Sequence, residues 1–199
     1  MNPATRPFPT FGPIALLALL ALLALLAPSC AIVGCAAQPA QPRTAADLPD
    51  ITNAEPGTVA YDRDVFQTLL GNHEKIRREV RLVAKGVETV TESDHPTIAI
   101  LIQDHVHAMH GRLVEGRRIR QWDPMFEAVF DHAPDIRLEI EDTPKGVRVR
   151  EVSDDPKVAR LIQAHAHVVD GFVARGGAES RLAHQVPEGA AGVLPAQGE

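Results

Sequence analysis

Residues 136–167, IRLEIEDTPKGVRVREVSDDPKVARLIQAHAH, hold the pattern that decides the fold. Ile136, Leu138 and Ile140 alternate with Arg137, Glu139 and Glu141, the period-2 signature of a strand with one face buried. Thr143-Pro144-Lys145-Gly146 predicts a turn, since glycine takes positive φ without steric cost. Val147 and Val149 then alternate with Arg148 and Arg150, so a second strand runs back beside the first. At Asp155-Pro156, an N-cap followed by proline at N1, the period changes to that of a helix. Val158, Leu161, Ile162, Val169 and Phe172 fall on one stripe at 3.6-residue spacing, and Gly176 stops the run.

The same order occurs sixty residues earlier. Residues 66–116 align with 126–176 without a gap, and 18 of 51 positions are identical. Among them are Phe66/Phe126, Gly86/Gly146, Asp94/Asp154, Pro96/Pro156, Gln103/Gln163, His105/His165 and His107/His167. Each copy opens with a short amphipathic helix, VFQTLLGN in the first and MFEAVFDH in the second. In the first copy Val80 and Leu82 take the inward strand positions, Lys85-Gly86 the turn and His95-Pro96 a weaker helix start. Two copies are too few for a solenoid. They predict an α+β fold, in which two tandem α-β-β-α repeats (62–116 and 122–176) form one four-stranded antiparallel sheet with both long helices packed on one face. The other face would carry Arg77, Glu79, Arg81, Arg137, Glu139, Glu141, Arg148 and Arg150 to solvent or a partner.

Before the repeats, residues 14–27 read IALLALLALLALLA, shorter than the roughly 20 residues a spanning helix needs but suited to a signal-peptide core. Ile32-Val33-Gly34-Cys35 then resembles the lipobox of bacterial lipoproteins, which implies cleavage before Cys35 and lipid attachment there. Cys30, after Ala27-Pro28-Ser29, is the competing site. Residues 1–35 thus read as a signal peptide, 36–58 as a flexible Ala/Pro/Gln tether, 59–184 as the duplicated domain and 185–199 as a loose tail. The expected location is the cell envelope, lipid-anchored. Ala36 after the modified cysteine resembles outer-membrane sorting, on the periplasmic face.

Beyond residue 35 the chain has 19 basic and 26 acidic residues, one Trp and one Tyr. That argues against nucleic acid, which needs a cationic surface and stacking aromatics. Both cysteines lie in the leader, so the domain has neither a disulfide framework nor a thiolate metal site. It also has no nucleophile elbow, no phosphate-cradling glycine loop and no HExxH helix, so catalysis is not expected. Trp122-Asp123-Pro124, between the copies, reads as a packing and turn element.

Of the nine histidines, five lie on the two long helices. His105 falls on the apolar stripe of Ile98, Leu101, Ile102, Met109 and Leu113, and His165 on the matching stripe of the second copy. His107 and His167 point about 200° away, beside Gln103 and Gln163, with His110 one turn beyond His107. From a regular helix His105 and His107 cannot share one ion. Two combinations remain: His105 with His165 across the pseudo-two-fold, for haem or for part of a copper or zinc site, and His107 with His110 on the outer face, helped by Asp104 or a partner. The bland alternative makes them core residues bonded to neighbours such as Ser93/Ser153 or Asp94/Asp154.

The arrangement NHEKI…KGV…SDxP…IQxHxH, complete in the first copy and largely repeated in the second, resembles an uncharacterised family of secreted bacterial proteins. The resemblance covers most of residues 62–176 and implies a real folding unit without implying an activity. Two functions lead the expectations, ahead of a small enzyme that uses a bound metal as Lewis acid. One is a membrane-tethered lipoprotein binding a transition metal or haem. The other is a non-enzymatic envelope interaction module, a homodimer or a protein partner, with structural histidines.

Overall fold

In the computed structural model, which describes residues 49–194, each copy folds in the order its pattern requires. The first copy comprises α1 (Val59–Gly71), a 3-10 turn (His73–Lys75), β1 (Arg77–Val83), β2 (Gly86–Glu92) and α2 (Pro96–Glu115). The second comprises α3 (Pro124–Asp131), a 3-10 turn (Ala133–Asp135), β3 (Arg137–Thr143), β4 (Gly146–Val152) and α4 (Pro156–Arg175), followed by a 3-10 segment (Gly176–Arg181). The strands form one sheet in the order β1-β2-β4-β3, every neighbouring pair antiparallel. At its centre Thr89 faces Val149, the same position in the two copies, so the pseudo-two-fold axis runs through that pair. The α+β fold is as expected.

The copies are interlocked rather than adjacent. α2 lies over β4, and α4 lies over β2 and β1, so each long helix covers the other copy's strands. Gln103 Nε2 donates to the carbonyls of Thr143 (2.6 Å) and Gly146 (2.9 Å). Gln163 Nε2 reaches the equivalent carbonyls of Val83 (3.1 Å) and Gly86 (3.3 Å). Lys145 pairs with Asp94 and Lys85 with Asp154, each at 2.7 Å, while Arg77 and Arg137 hold the same two carboxylates at 2.6 and 2.8 Å. Ser93 Oγ and Ser153 Oγ accept from the backbone N–H of His95 and Asp155 at the helix starts. The serine and aspartate of SDxP, weighed above as partners for the buried histidines, serve this interlock instead. The motif is the mechanical joint of the duplication.

Two glycines permit the joint. Gly86 and Gly146 sit at φ 152° and 157°, and a Cβ at either would lie 2.0 Å from a backbone oxygen of the neighbouring strand, that of Glu151 or Thr91. Inward residues of all four strands face the helices, and the core includes Val87, Val147, Leu101, Leu161 and Ile162. The opposite face is the mixed-charge surface expected, tied by cross-strand pairs such as Arg148–Glu141 (2.8 Å) and Arg150–Glu88 (3.4 Å). Exposed pairs of this kind are each worth at most about 1 kcal/mol.

Three boundaries differ from expectation. α1 begins six residues before VFQTLLGN, because Thr58 caps it by accepting from Tyr61 N–H at 3.2 Å. The segment before it is already folded, with Ile51 and Ala54 against the core and Thr52 Oγ1 donating to Asp64 at 2.6 Å, so the tether ends earlier than residue 58. Residues 185–194 are not a loose tail. Val186, Ala190 and Ala191 pack on the core, Ala191 N–H donates to Lys157 O at 3.0 Å, and His132 bonds Gly192 O. The segment bridges the end of α3, through Asp131 and His132, and the first turns of α4, through Lys157 and Arg160. Leu82, expected inward, is 64% exposed because it lies near the hairpin tip, beyond cover from α4. The leader, Cys30, Cys35 and the tether to residue 48 lie outside the described residues. Among those described, no helix is long and apolar enough to cross a membrane.

Candidate ligand-binding cavity

The sheet and the long helices line a half-open cavity of about 610 Å³, within the range of roughly 300–1,000 Å³ typical of small-molecule sites. Its wall is mainly apolar, from Phe66, Phe126, Phe172, Val129, Leu138 and Val169 among others. Both stripe histidines line it. The helical period puts His105 and His165 on the faces that α2 and α4 turn toward the sheet, so the duplication delivers one imidazole from each half to one space.

The two rings are held by aromatic packing. His105 stacks on Phe66, with centroids 5.4 Å apart and planes 16° from parallel, and His165 meets Phe126 edge to face at 5.3 Å and 87°. Phe172 joins the two halves, 5.6 Å from Phe66 and 6.0 Å from Phe126. Nδ1 of His105 is buried without a hydrogen-bond partner among the described residues, the kind of orphan that native cores avoid. Burial drives both imidazoles down to about 4; the Arg78 charge adds to the effect at His165, while Asp62 opposes it at His105. Both are therefore neutral at pH 7.

The remaining histidines are differently employed. His73 Nδ1 meets Val173 O at 2.9 Å, and His184 sits between Asp123 (2.8 Å) and Glu179 (3.3 Å). His107 Nε2 lies 2.9 Å from Asp142, whereas His167 is exposed and has Leu82 at the position matching Asp142. His110, expected beside His107 on the outer face, lines the cavity instead, because residues 118–121 fold back and extend the wall around the end of α2. The expected pair of His107 with His110 is thus divided between two environments. Gln103, on the same supposed outer face, is 4% exposed beneath the opposite hairpin. Met109 lines the cavity too. Asp123 is a packing element as expected: fully buried, it caps α3 through Met125 N–H (3.2 Å) and pairs with Arg120 (2.8 Å).

Several cavity groups went unread in the sequence. Arg78, on β1, points inward and pairs with Asp170 (3.0 Å) and Thr91 Oγ1 (2.7 Å). Glu151, on β4, also lines the cavity, where burial pushes it up to about 7 against the opposing Arg78 charge. Arg112 and Asp62 form a buried ion pair with Nε to Oδ2 at 2.6 Å. The signal for the first two was present, since the period-2 pattern that turns Val80 and Val149 inward turns Arg78 and Glu151 inward as well. No match to this chain is found among protein-family models, curated proteins or solved structures.

Proposed function

We propose that this is a membrane-tethered extracytoplasmic protein that binds haem in the cavity, with His105 and His165 as axial ligands. One observation carries the reading: two neutral imidazoles at matched positions line a single apolar cavity, and one of them has a buried nitrogen without a partner. A bare metal ion is served less well. Zinc takes three or four protein ligands, and among the described residues no three His, Cys, Asp or Glu side chains converge. The same shortage weighs against a copper ion. Haem brings four nitrogens of its own, asks the protein for one or two axial ligands, and buries a broad flat face against aromatic rings. Export and tethering rest on the apolar leader and on the lipobox ending at Cys35.

The test is a titration of the full chain, purified in detergent, with ferric haem. The expected result is a saturable 1:1 shift of the Soret band that disappears in the His105→Ala/His165→Ala double variant. Unsaturable absorbance, or a shift that the double variant retains, would overturn the proposal. Tight stoichiometric copper binding without haem binding would do the same.

A further inference from the structure

The duplication provides an internal control for each residue of the cavity wall. Where the two copies differ, one copy shows what the fold alone accepts. Arg78 of β1 corresponds to Leu138 of β3, at the same inward register, and Leu138 also lines the cavity. The fold therefore does not require a charge there. Burying a guanidinium is costly even when paired. The Arg78 side chain is 11% exposed, while its partner Asp170 is 39% exposed, so the cation is the more deeply placed of the two. Nε goes to Asp170 and Nη1 to Thr91, and Nη2 takes no hydrogen-bond partner among the described residues. Arg112 is different: its Nε and Nη2 both converge on Asp62, a self-contained pair.

We propose that Arg78 receives the carboxylate of an amphipathic acid whose flat apolar body lies among Phe66, Phe126 and Phe172. The inference rests on the cavity being a ligand site and deepens the haem reading by naming the group that selects the ligand. With Nε and Nη1 engaged, the open Nη2 can donate a charge-assisted hydrogen bond to a carboxylate. Glu151, whose counterpart is Thr91, also lines the cavity from β4, and burial raises its carboxyl to about 7, so at mildly acidic pH it leaves the cation available to an acid.

The experiment compares protoporphyrin IX with its dimethyl ester on the full chain in detergent, against protein-free micelles. Neither probe contains iron, so recognition of the acid is read separately from imidazole ligation. The wild type should prefer the acid by about tenfold or more, equivalent to roughly 1.4 kcal/mol. Arg78→Leu, which copies the residue of the sister strand, should erase the preference. Equal binding of acid and ester by the wild type would overturn the inference without any variant having to fold. A preference that survives in Arg78→Leu would overturn it too. If the preference is found but haem is bound without histidine ligation, the proposed function falls and this inference stands.

Discussion

The imidazole of His105 lies flat against the ring of Phe66, 16° from parallel, whereas its twin His165 meets Phe126 at nearly a right angle. Identical residues at identical spacing have settled into different packings because their surroundings differ. Asp62 and Arg112 flank the first ring, where the second copy has Trp122 and Phe172. In both environments burial lowers the imidazole toward about 4. In an NMR titration, His105 and His165 should each show a midpoint near 4, well below the free imidazole value of 6.5. A midpoint near 6.5 for either would contradict the burial of that ring in the cavity wall.

Those shifts set the acid limb of stability. The unfolded chain takes up protons at these histidines below pH 6.5 while the folded chain resists until about 4. Stability is therefore present above 6.5 and lost as pH falls from there through 4, on the order of 2 kcal/mol per histidine. Denaturant midpoints measured across this range should fall less steeply in His105→Phe than in the wild type. Parallel curves would count against a buried neutral His105.

Glu151 acts in the opposite direction. Its folded value is raised from 4.5 to about 7, so its contribution is fully present below 4.5 and is lost as pH rises through 7. Glu151→Gln should gain stability relative to the wild type at pH 8 and not at pH 4, measured by urea unfolding. For an acidic ligand the same ionisation adds a second anion to the cavity. Affinity for protoporphyrin IX should therefore decline between pH 6 and 8 in the wild type and stay flat in Glu151→Gln.

The interlock of the copies predicts an ordered pair of effects. Gln103→Leu strips donors from the carbonyls of Thr143 and Gly146 and should cost about 1–3 kcal/mol. Gln163→Leu breaks longer bonds in a less buried setting and should cost less. Chemical denaturation of the two variants side by side checks the order, and a larger loss in Gln163→Leu would contradict it.

Gly86→Ala and Gly146→Ala should each be more damaging than either glutamine change, by about 3 kcal/mol or more, since the new Cβ meets backbone oxygen at the central seam. Thermal melts of the two variants provide the check. A near-neutral alanine at either position would mean that the strands are not so closely joined there.

The architecture was legible because its signals are local and doubled. Alternation at Ile136–Ile140, the Lys-Gly turns and the Asp155-Pro156 helix start each specify an element, and the sixty-residue offset states that the elements occur twice. The inward set of each long helix was legible for the same reason, down to His105 and His165. What periodicity could not convey was which copy each helix covers. Gln103 and Gln163 looked solvent-facing on an isolated helix and are pinned under the opposite hairpin. His110 was misplaced because a helical angle does not reveal a connector folding back over it. Arg78 and Glu151 were within reach of the strand pattern, but charged residues beside other charges, in Arg77-Arg78-Glu79 and Arg150-Glu151, do not announce which one points inward. The docking of residues 185–194 depends on the end of α3 and the start of α4 being brought side by side, which happens only on folding.

The central claim is that two imidazoles, one per repeat, serve one bound iron. The electron paramagnetic resonance spectrum of the ferric haem complex tests it most directly, recorded for the wild type and for His105→Ala and His165→Ala singly. The expected spectrum is low-spin with two nitrogenous axial ligands in the wild type, turning high-spin in each single variant. The same spectrum in all three proteins would mean that neither histidine touches the iron.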